Sequence, residues 1–567
     1  MTLAHLAERS FAYPHRGILM GRWCATVLLA ALAMAAPSLA DAQADESQYR
    51  WGEAATVQTA GGKVAGFVRN GALEFRGIPY GASVAGDNRW EMPKPAAAWS
   101  GVLPAMHFKG TCAQAARYGL TERSDNEDCL TLNVSLPYTG ENATKTKRPV
   151  IVWIHGGAFV GGASSLYRLD QLAKKADAVV VTMNYRLGVF GFMPHPAFGA
   201  DRNGGYALED QRLALRWVKD NIAAFGGDPD NITVAGESAG AASVCMHLIA
   251  PEETSGLFHK AIVQSGACVF RLRSVEDRKR FGETVAKNAG CADPATALQC
   301  LRGKDPQTLI AAGDAAGGAD LMAFAPSYGT KTVPRQGLDA LESGRFVQVP
   351  VLNGGTRDEL RLYVGYDVQA GKRYTAENYP AAIKAIYGDN ADAVIKQYPV
   401  GAFASAPVAL GTVMSDFRPD LGINHCLYLE AARLMSRRVP VYQWEFADRE
   451  TPVLGVAMPI QPDTGFPLGA AHSSELNAFF PNFSNTTAIS GPDLSARSQA
   501  MAEQMIATWA SFIRSGRPAA EGVPAWKPYA EGASSIRFEP GNVHAFDASS
   551  DHKCAFWKSL YPDYFAK

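Results

Sequence analysis

The sequence predicts an α/β fold, a mostly parallel mixed sheet flanked by helices. Three observations carry that expectation. Short apolar runs alternate with stretches of helical period along most of the chain. One run, Asn231-Ile-Thr-Val-Ala-Gly-Glu-Ser-Ala-Gly240, passes from β-branched residues through a glycine-flanked serine into a helix-prone stretch, Ala241 to Ala250. No Pro/Gly/Ser-rich linker, charge run or internal repeat divides the 567 residues. One large domain over residues 45–567 with long loop excursions is therefore expected, rather than the several that about 150 residues per domain would suggest.

The elements follow in order. Met20-Gly-Arg-Trp is a short basic segment, and Ala25 to Ala36 is apolar but too short to span a bilayer. Small residues come next, with cleavage expected after Ala42 or Ala44. Residues 1–44 thus read as an export signal, with Met20 as an alternative start. Pro149–Ile154 and Ala178–Met183 read as buried strands. Leu208–Ile222 repeats apolar residues at helical spacing. Ala261–Gln264, Val349–Leu352 and Val439–Trp444 are later strands. A long amphipathic helix spans Ala496 to Arg514, with Ala502, Met505, Ile506, Trp509, Phe512 and Ile513 on one face. Buried parallel strands joined by crossover helices place their chemistry at the strands' carboxyl ends.

Charge and cysteine usage narrow the function. Lys and Arg number 54 and Asp and Glu 55. That balance leaves no basic footprint for nucleic acid and no polybasic membrane patch. Removing residues 1–44 leaves eight of nine cysteines, an even count that in an exported chain points to disulfides. Cys112 with Cys129 and Cys291 with Cys300 would close short loops, and Cys426 with Cys554 would make a long-range tie. Cys245 and Cys268 read as buried thiols. There is no CxxC spacing, so no metal knuckle is expected, and no cofactor is implied.

The chemistry centres on Gly236-Glu237-Ser238-Ala239-Gly240, a G-x-S-x-G elbow that exposes one serine hydroxyl above a sheet. The flanking glycines let strand and helix approach where a Cβ would clash. A serine needs a base, and the base a third group that fixes its tautomer. Among eleven histidines, His472 stands apart in the Gly/Ala loop Leu468-Gly-Ala-Ala-His-Ser-Ser-Glu-Leu476, while His425, His544 and His552 lie outside any motif. Two acids, Asp358 and Glu359, follow the strand Val349–Leu352. An elbow also donates the N–H after its serine, here Ala239, to a developing oxyanion.

From about Gly61 to Trp557 the chain resembles the type-B carboxylesterase and lipase family. The resemblance rests on Phe225 to Gly240, on Glu127-Asp-Cys-Leu-Thr-Leu-Asn-Val134, on Asn184-Tyr-Arg-Leu-Gly-Val-Phe-Gly-Phe192 and on the loop Trp153-Ile-His-Gly-Gly-Ala-Phe159. It implies an α/β-hydrolase fold and a serine hydrolase acting through an acyl-enzyme on small-molecule esters, as a monomer or homodimer without a membrane anchor. By the match, Ser238 is the nucleophile, His472 the base and Glu359, the second of the two acids, its partner. Gly157 and Ala158 join Ala239 as oxyanion donors. The family's adhesion members lack the nucleophile, which sets a binding-only role aside. Its lipases keep long-chain lipid hydrolysis as the alternative, with Ala311 to Phe324 as a candidate mobile segment. The chain departs from the pattern where Leu360 replaces a glycine, and in Gly204-Gly-Tyr-Ala207, where Gly205 and Ala207 replace Asn and Gly.

Overall fold

A computed structural model describes residues 55–566 apart from 117–120, 200, 319, 453–463, 481–493 and 530–534. The expected signal segment, residues 1–44, lies outside the described residues.

Three strands, β1 (Thr56–Thr59), β2 (Gly62–Ala65) and β5 (Val102–Pro104), form a small separate sheet. The main sheet holds β3 (Phe67–Arg69), β4 (Ala72–Pro79), β6 (Thr131–Pro137), β7 (Arg148–Ile154), β8 (Val179–Met183), β9 (Gly227–Glu237), β10 (Lys260–Gln264), β11 (Val351–Thr356), β12 (Val441–Phe446), β13 (Ser535–Phe538) and β14 (His544–Phe546). Its order is β14-β13-β12-β11-β10-β9-β7-β8-β6-β4-β3. The seven strands from β8 to β13 run parallel, while β3, β4 and β6 on one side and β14 on the other pair antiparallel. This is the mixed, mainly parallel sheet of an α/β-hydrolase. The central strands are buried along nearly their whole length, which is why they read as continuous Val/Ile runs rather than alternating ones.

Local chemistry sets the boundaries. The helix Ala496–Ser515 buries Ala502, Met505, Ile506, Trp509, Phe512 and Ile513 against the sheet. Ser495 caps it by accepting from the Ser498 N–H, and Gly516 ends it at φ 75°. The elbow strand is longer than the turn-rich sequence suggests. Gly226 turns at φ 76°, and Gly227 then pairs with Arg148 ahead of a register shift, so Gly227–Asp230 belong to β9. The stretch from Ala311 begins inside a helix, Pro306–Gly317, capped by Asp305.

Four disulfides brace the fold. Cys112–Cys129, Cys291–Cys300 and Cys426–Cys554 pair as expected. Cys245 and Cys268 are bridged as well, with Cα atoms 4.9 Å apart, which corrects the expectation of two free thiols. β9 and β10 are neighbours in the sheet, so the helix after one strand meets the loop after the other.

Candidate active site

The end of β9 builds the elbow. Ser238 sits at φ 57°, ψ −122° between β9 and the helix Ala239–Leu248, and its N–H donates to Gln264 O on β10 at 2.9 Å. Such a backbone costs about 1–3 kcal/mol and persists only where the surroundings over-determine it. Two glycines permit it. A Cβ on Gly236 would stand 2.5 Å from Gly240 C, and one on Gly240 would stand 2.1 Å from Ile154 O.

The histidine lies 234 residues further along the chain, on the loop after β12, yet meets the serine. His472 Nε2 lies 2.9 Å from Ser238 Oγ, and Nδ1 lies 2.6 Å from Glu359 Oε2. All but the serine hydroxyl are buried, since His472 is 1 % exposed and Glu359 fully covered. The other Glu359 oxygen accepts from the Thr356 N–H at 2.9 Å and from the Tyr428 hydroxyl at 3.0 Å. Burial raises the Glu359 carboxyl, but the neighbours facing it, His472 foremost, together outweigh burial and hold it below the usual range.

Asp358, the other acid, is placed elsewhere. It pairs with Arg449 at 2.7 and 2.9 Å and with Arg361 at 2.9 Å, and it accepts from the Ala470 N–H at 3.1 Å. Its own N–H donates to Ala470 O. Asp358 thus ties the acid loop to the histidine loop and does not touch His472. Leu360, in place of glycine, is buried and donates its N–H to Ser415 Oγ ahead of the helix Arg361–Gln369.

Sequence reasoning passed over two acids. Glu237 Oε1 lies 3.3 Å from His472 Nε2 and accepts from Ser473 Oγ at 2.6 Å. Burial lifts its carboxyl above the ordinary range. Glu475 is also buried and lifted well above it, by burial first and then by Glu237 and Glu359. Both were in view, one beside the serine and one three residues after the histidine, but their approach to the imidazole depends on tertiary structure. Burial opposes charge on His472, yet Glu237 and Glu359 outweigh it and lift the imidazole to about 9.

Gly157, Ala158 and Ala239 line the same cleft as Ser238. The loop carrying the first two turns sharply, with positive φ at Gly157 (117°), Ala158 (52°) and Phe159 (63°). Gln114 clamps its far end, exchanging hydrogen bonds with both the N–H and the carbonyl of Gly162 at 3.0 Å. The cleft holds about 1100 Å³ of empty space open to solvent, and its walls are mainly apolar, with Met246, Phe270, Leu272, Leu321, Met322 and Ile423 among them. Among the described residues no Lys or Arg lines it. The altered Gly204–Ala207 segment does not reach it.

The arrangement can move a proton from a serine hydroxyl to an imidazole beside an apolar cleft, and the chain is similar to known esterases. Residues 53–557 match the carboxylesterase family model. The chain is 32 % identical to a para-nitrobenzyl esterase of Bacillus subtilis, over 84 % of this chain and 92 % of that protein. It is 31 % identical to a phenmedipham hydrolase of Pseudarthrobacter oxydans, covering 83 % and 92 %. It is 29 % identical to a human cocaine esterase, covering 87 % and 88 %. The match runs through the sheet, the elbow and the histidine loop alike, and so this chain belongs to the carboxylesterase family and is a carboxylic ester hydrolase.

Proposed function

We propose that the chain cleaves uncharged carboxylic esters through an acyl-enzyme on Ser238, with His472 as general base and Glu359 as its partner. The continuous hydrogen-bonded line from Ser238 through His472 to Glu359 at the floor of the cleft carries this reading. His472 takes the Ser238 proton as the hydroxyl attacks the ester carbonyl. The oxyanion is met by the N–H groups of Gly157, Ala158 and Ala239, which are fixed in place and need no reorganisation. The imidazolium then protonates the leaving alcohol, and water activated by His472 releases the acid. Glu359 orients the ring and supports its charge throughout.

The mainly apolar lining, with no Lys or Arg among the described residues, favours neutral acyl and alcohol groups, since a carboxylate against those apolar walls would lose its hydration without a Lys or Arg partner. Long-chain lipid hydrolysis has no observation in its favour. Among the described residues Val102 is the one large apolar side chain that is exposed, which leaves no patch to meet an oil surface. The four disulfides and the N-terminal apolar segment support export to a secreted or periplasmic location, as one domain over residues 45–567. No helix among the described residues is long and apolar enough to cross a membrane.

The test is a series of p-nitrophenyl esters from acetate to palmitate, run beside Ser238→Ala. We expect a Ser238-dependent maximum at short or medium chains and little turnover of a succinate monoester. A folded Ser238→Ala protein that still hydrolyses these esters would remove the assignment.

A further inference from the structure

Away from the cleft, one group among the described residues has metal-ligand chemistry, the buried set His425, Glu445 and His552. Its geometry speaks against a metal. The two rings lie face to face, with centroids 3.7 Å apart and planes 5° from parallel. An imidazole lone pair lies in its ring plane, and one ion cannot lie in two stacked planes.

The hydrogen bonds describe a proton site instead. His552 Nδ1 lies 2.6 Å from Asp416 Oδ1 and Nε2 lies 2.5 Å from Glu445 Oε2. Both partners are carboxylates, so both ring nitrogens donate and His552 is an imidazolium. Arg537 Nε donates to the other Glu445 oxygen at 2.6 Å, and the Tyr398 hydroxyl to the other Asp416 oxygen at 2.7 Å. Two buried cations therefore face two buried anions, with Asp551 pairing Arg537 at the rim.

His425 is the neutral member. Its Nε2 lies 3.0 Å from Thr356 O and 3.3 Å from Arg357 O, two groups that only accept, so Nε2 carries the hydrogen. Its Nδ1 is 3.7 Å from Glu445 Oε2, too far for a hydrogen bond. A second proton on His425 would set a cation flat against His552.

Thr356 links this stack to the active site. Its carbonyl accepts from His425, and its N–H donates to Glu359 Oε1. Tyr428, three residues along the helix His425–Met435, donates to that same oxygen. Cys426, between them, is bridged to Cys554, two residues beyond His552. One helix thus grips the turn Thr356–Glu359 through its carbonyl and through its carboxylate, and the imidazolium stack backs the helix.

We propose that His425, seated on the buried His552 imidazolium, is a positioning residue that locks the Thr356–Glu359 turn and so aims the Glu359 carboxylate at His472. This rests on the reading of Glu359 as the partner of the base. The groups facing His425 are His552 from the C-terminal segment, Glu445 from β12, Glu359 beyond β11 and Asp416 from the helix Ala406–Asp416.

The experiment measures kcat and KM per titrated active site for p-nitrophenyl butyrate from pH 5 to 10. His425→Leu keeps the bulk and removes the donor, and His425→Gln returns an N–H near the position of Nε2. A turn displaced by about 1 Å costs on the order of 10- to 100-fold. We expect His425→Leu to lose that much in kcat with KM within twofold, and its acid limb to move to lower pH, because a misaimed carboxylate supports the His472 imidazolium less. His425→Gln should recover most of both. A merely structural role would lower the number of titratable sites and leave kcat per site and the acid limb unmoved. Should the leucine variant not fold, His425→Asn, whose amide is too short to reach Thr356 O, is expected to show the same loss and the same shift. Wild-type kcat per site and an unmoved acid limb in the folded variant overturn the proposal. Glu359→Gln, run in parallel, separates the two readings. If it also keeps wild-type kcat, the role given to Glu359 falls, and if it alone loses turnover, only the role of His425 falls.

Discussion

Replacing Gly240 with alanine tests whether the elbow works through backbone contact alone. The new methyl would stand 2.1 Å from Ile154 O and 2.9 Å from His155 O, where ordinary contact begins near 3.4 Å. Both obstacles are backbone of β7 and its exit, held in the sheet between β8 and β9, so neither can swing aside. The helix Ala239–Leu248 must therefore retreat by about 1 Å or more, carrying Ser238 and the Ala239 N–H away from His472. A misplacement of about 1 Å costs roughly 100-fold in rate. Overpacking of a filled interior costs about 1–3 kcal/mol in stability. The assay is kcat/KM on p-nitrophenyl butyrate together with far-UV circular dichroism and a urea midpoint. Gly401→Ala is the control, because a methyl there meets nothing within 4 Å. A folded Gly240→Ala enzyme within twofold of wild type would refute the argument that close approach at this glycine sets the position of Ser238.

Three further outcomes are expected. Glu237→Gln removes the carboxylate 3.3 Å from His472 Nε2, so the acid limb of kcat/KM, expected above the ordinary imidazole value of 6.5 and as high as about 9, should move to lower pH by at least one unit. An unmoved limb would show that Glu237 does not share the proton. Replacing Cys245 and Cys268 by alanine together opens a bridge spanning 23 residues and should cost about 3 kcal/mol in the chain-entropy picture, read as a lower urea midpoint with kcat nearly kept. The His552 imidazolium should make the fold weaken in alkali. Burial opposes its charge, but Glu445 and Asp416 outweigh burial and lift it to about 10, above the 6.5 of the unfolded chain. Its contribution is full below about pH 6.5 and is lost as the pH rises through about 10, so the urea midpoint should fall over that window in wild type and fall less in His552→Gln.

Much of this was legible from the residues, for reasons that differ by distance along the chain. Ser238 and its glycines form one strand–turn–helix, so the requirement and the residues that meet it sit within a few positions. The strands of the sheet centre were legible because burial on both faces writes itself as an unbroken apolar run. The edge strand β14 carries no such run and was not foreseen. The pair Asp358 and Glu359 could not be divided by local chemistry, since both are acids on one turn. The division lies in Arg449 and Arg361 on one side and His472 on the other. Cys245 and Cys268 were misjudged because only the adjacency of β9 and β10 brings them together. His425 and His552 look idle in sequence for the same reason, being 127 positions apart until the helix His425–Met435 and the C-terminal segment stack them.

The borders of the main sheet carry a consequence for handling the protein at high concentration. β3 and β14 are its outermost strands, and each is three residues long. A sheet border is a row of unpaired amide and carbonyl groups, a template on which another chain can add a strand. Among the described residues each of these outermost strands offers a ladder of three residues, a short template for a foreign strand. Short outermost strands of this kind lower the tendency of a large sheet to add strands from other chains.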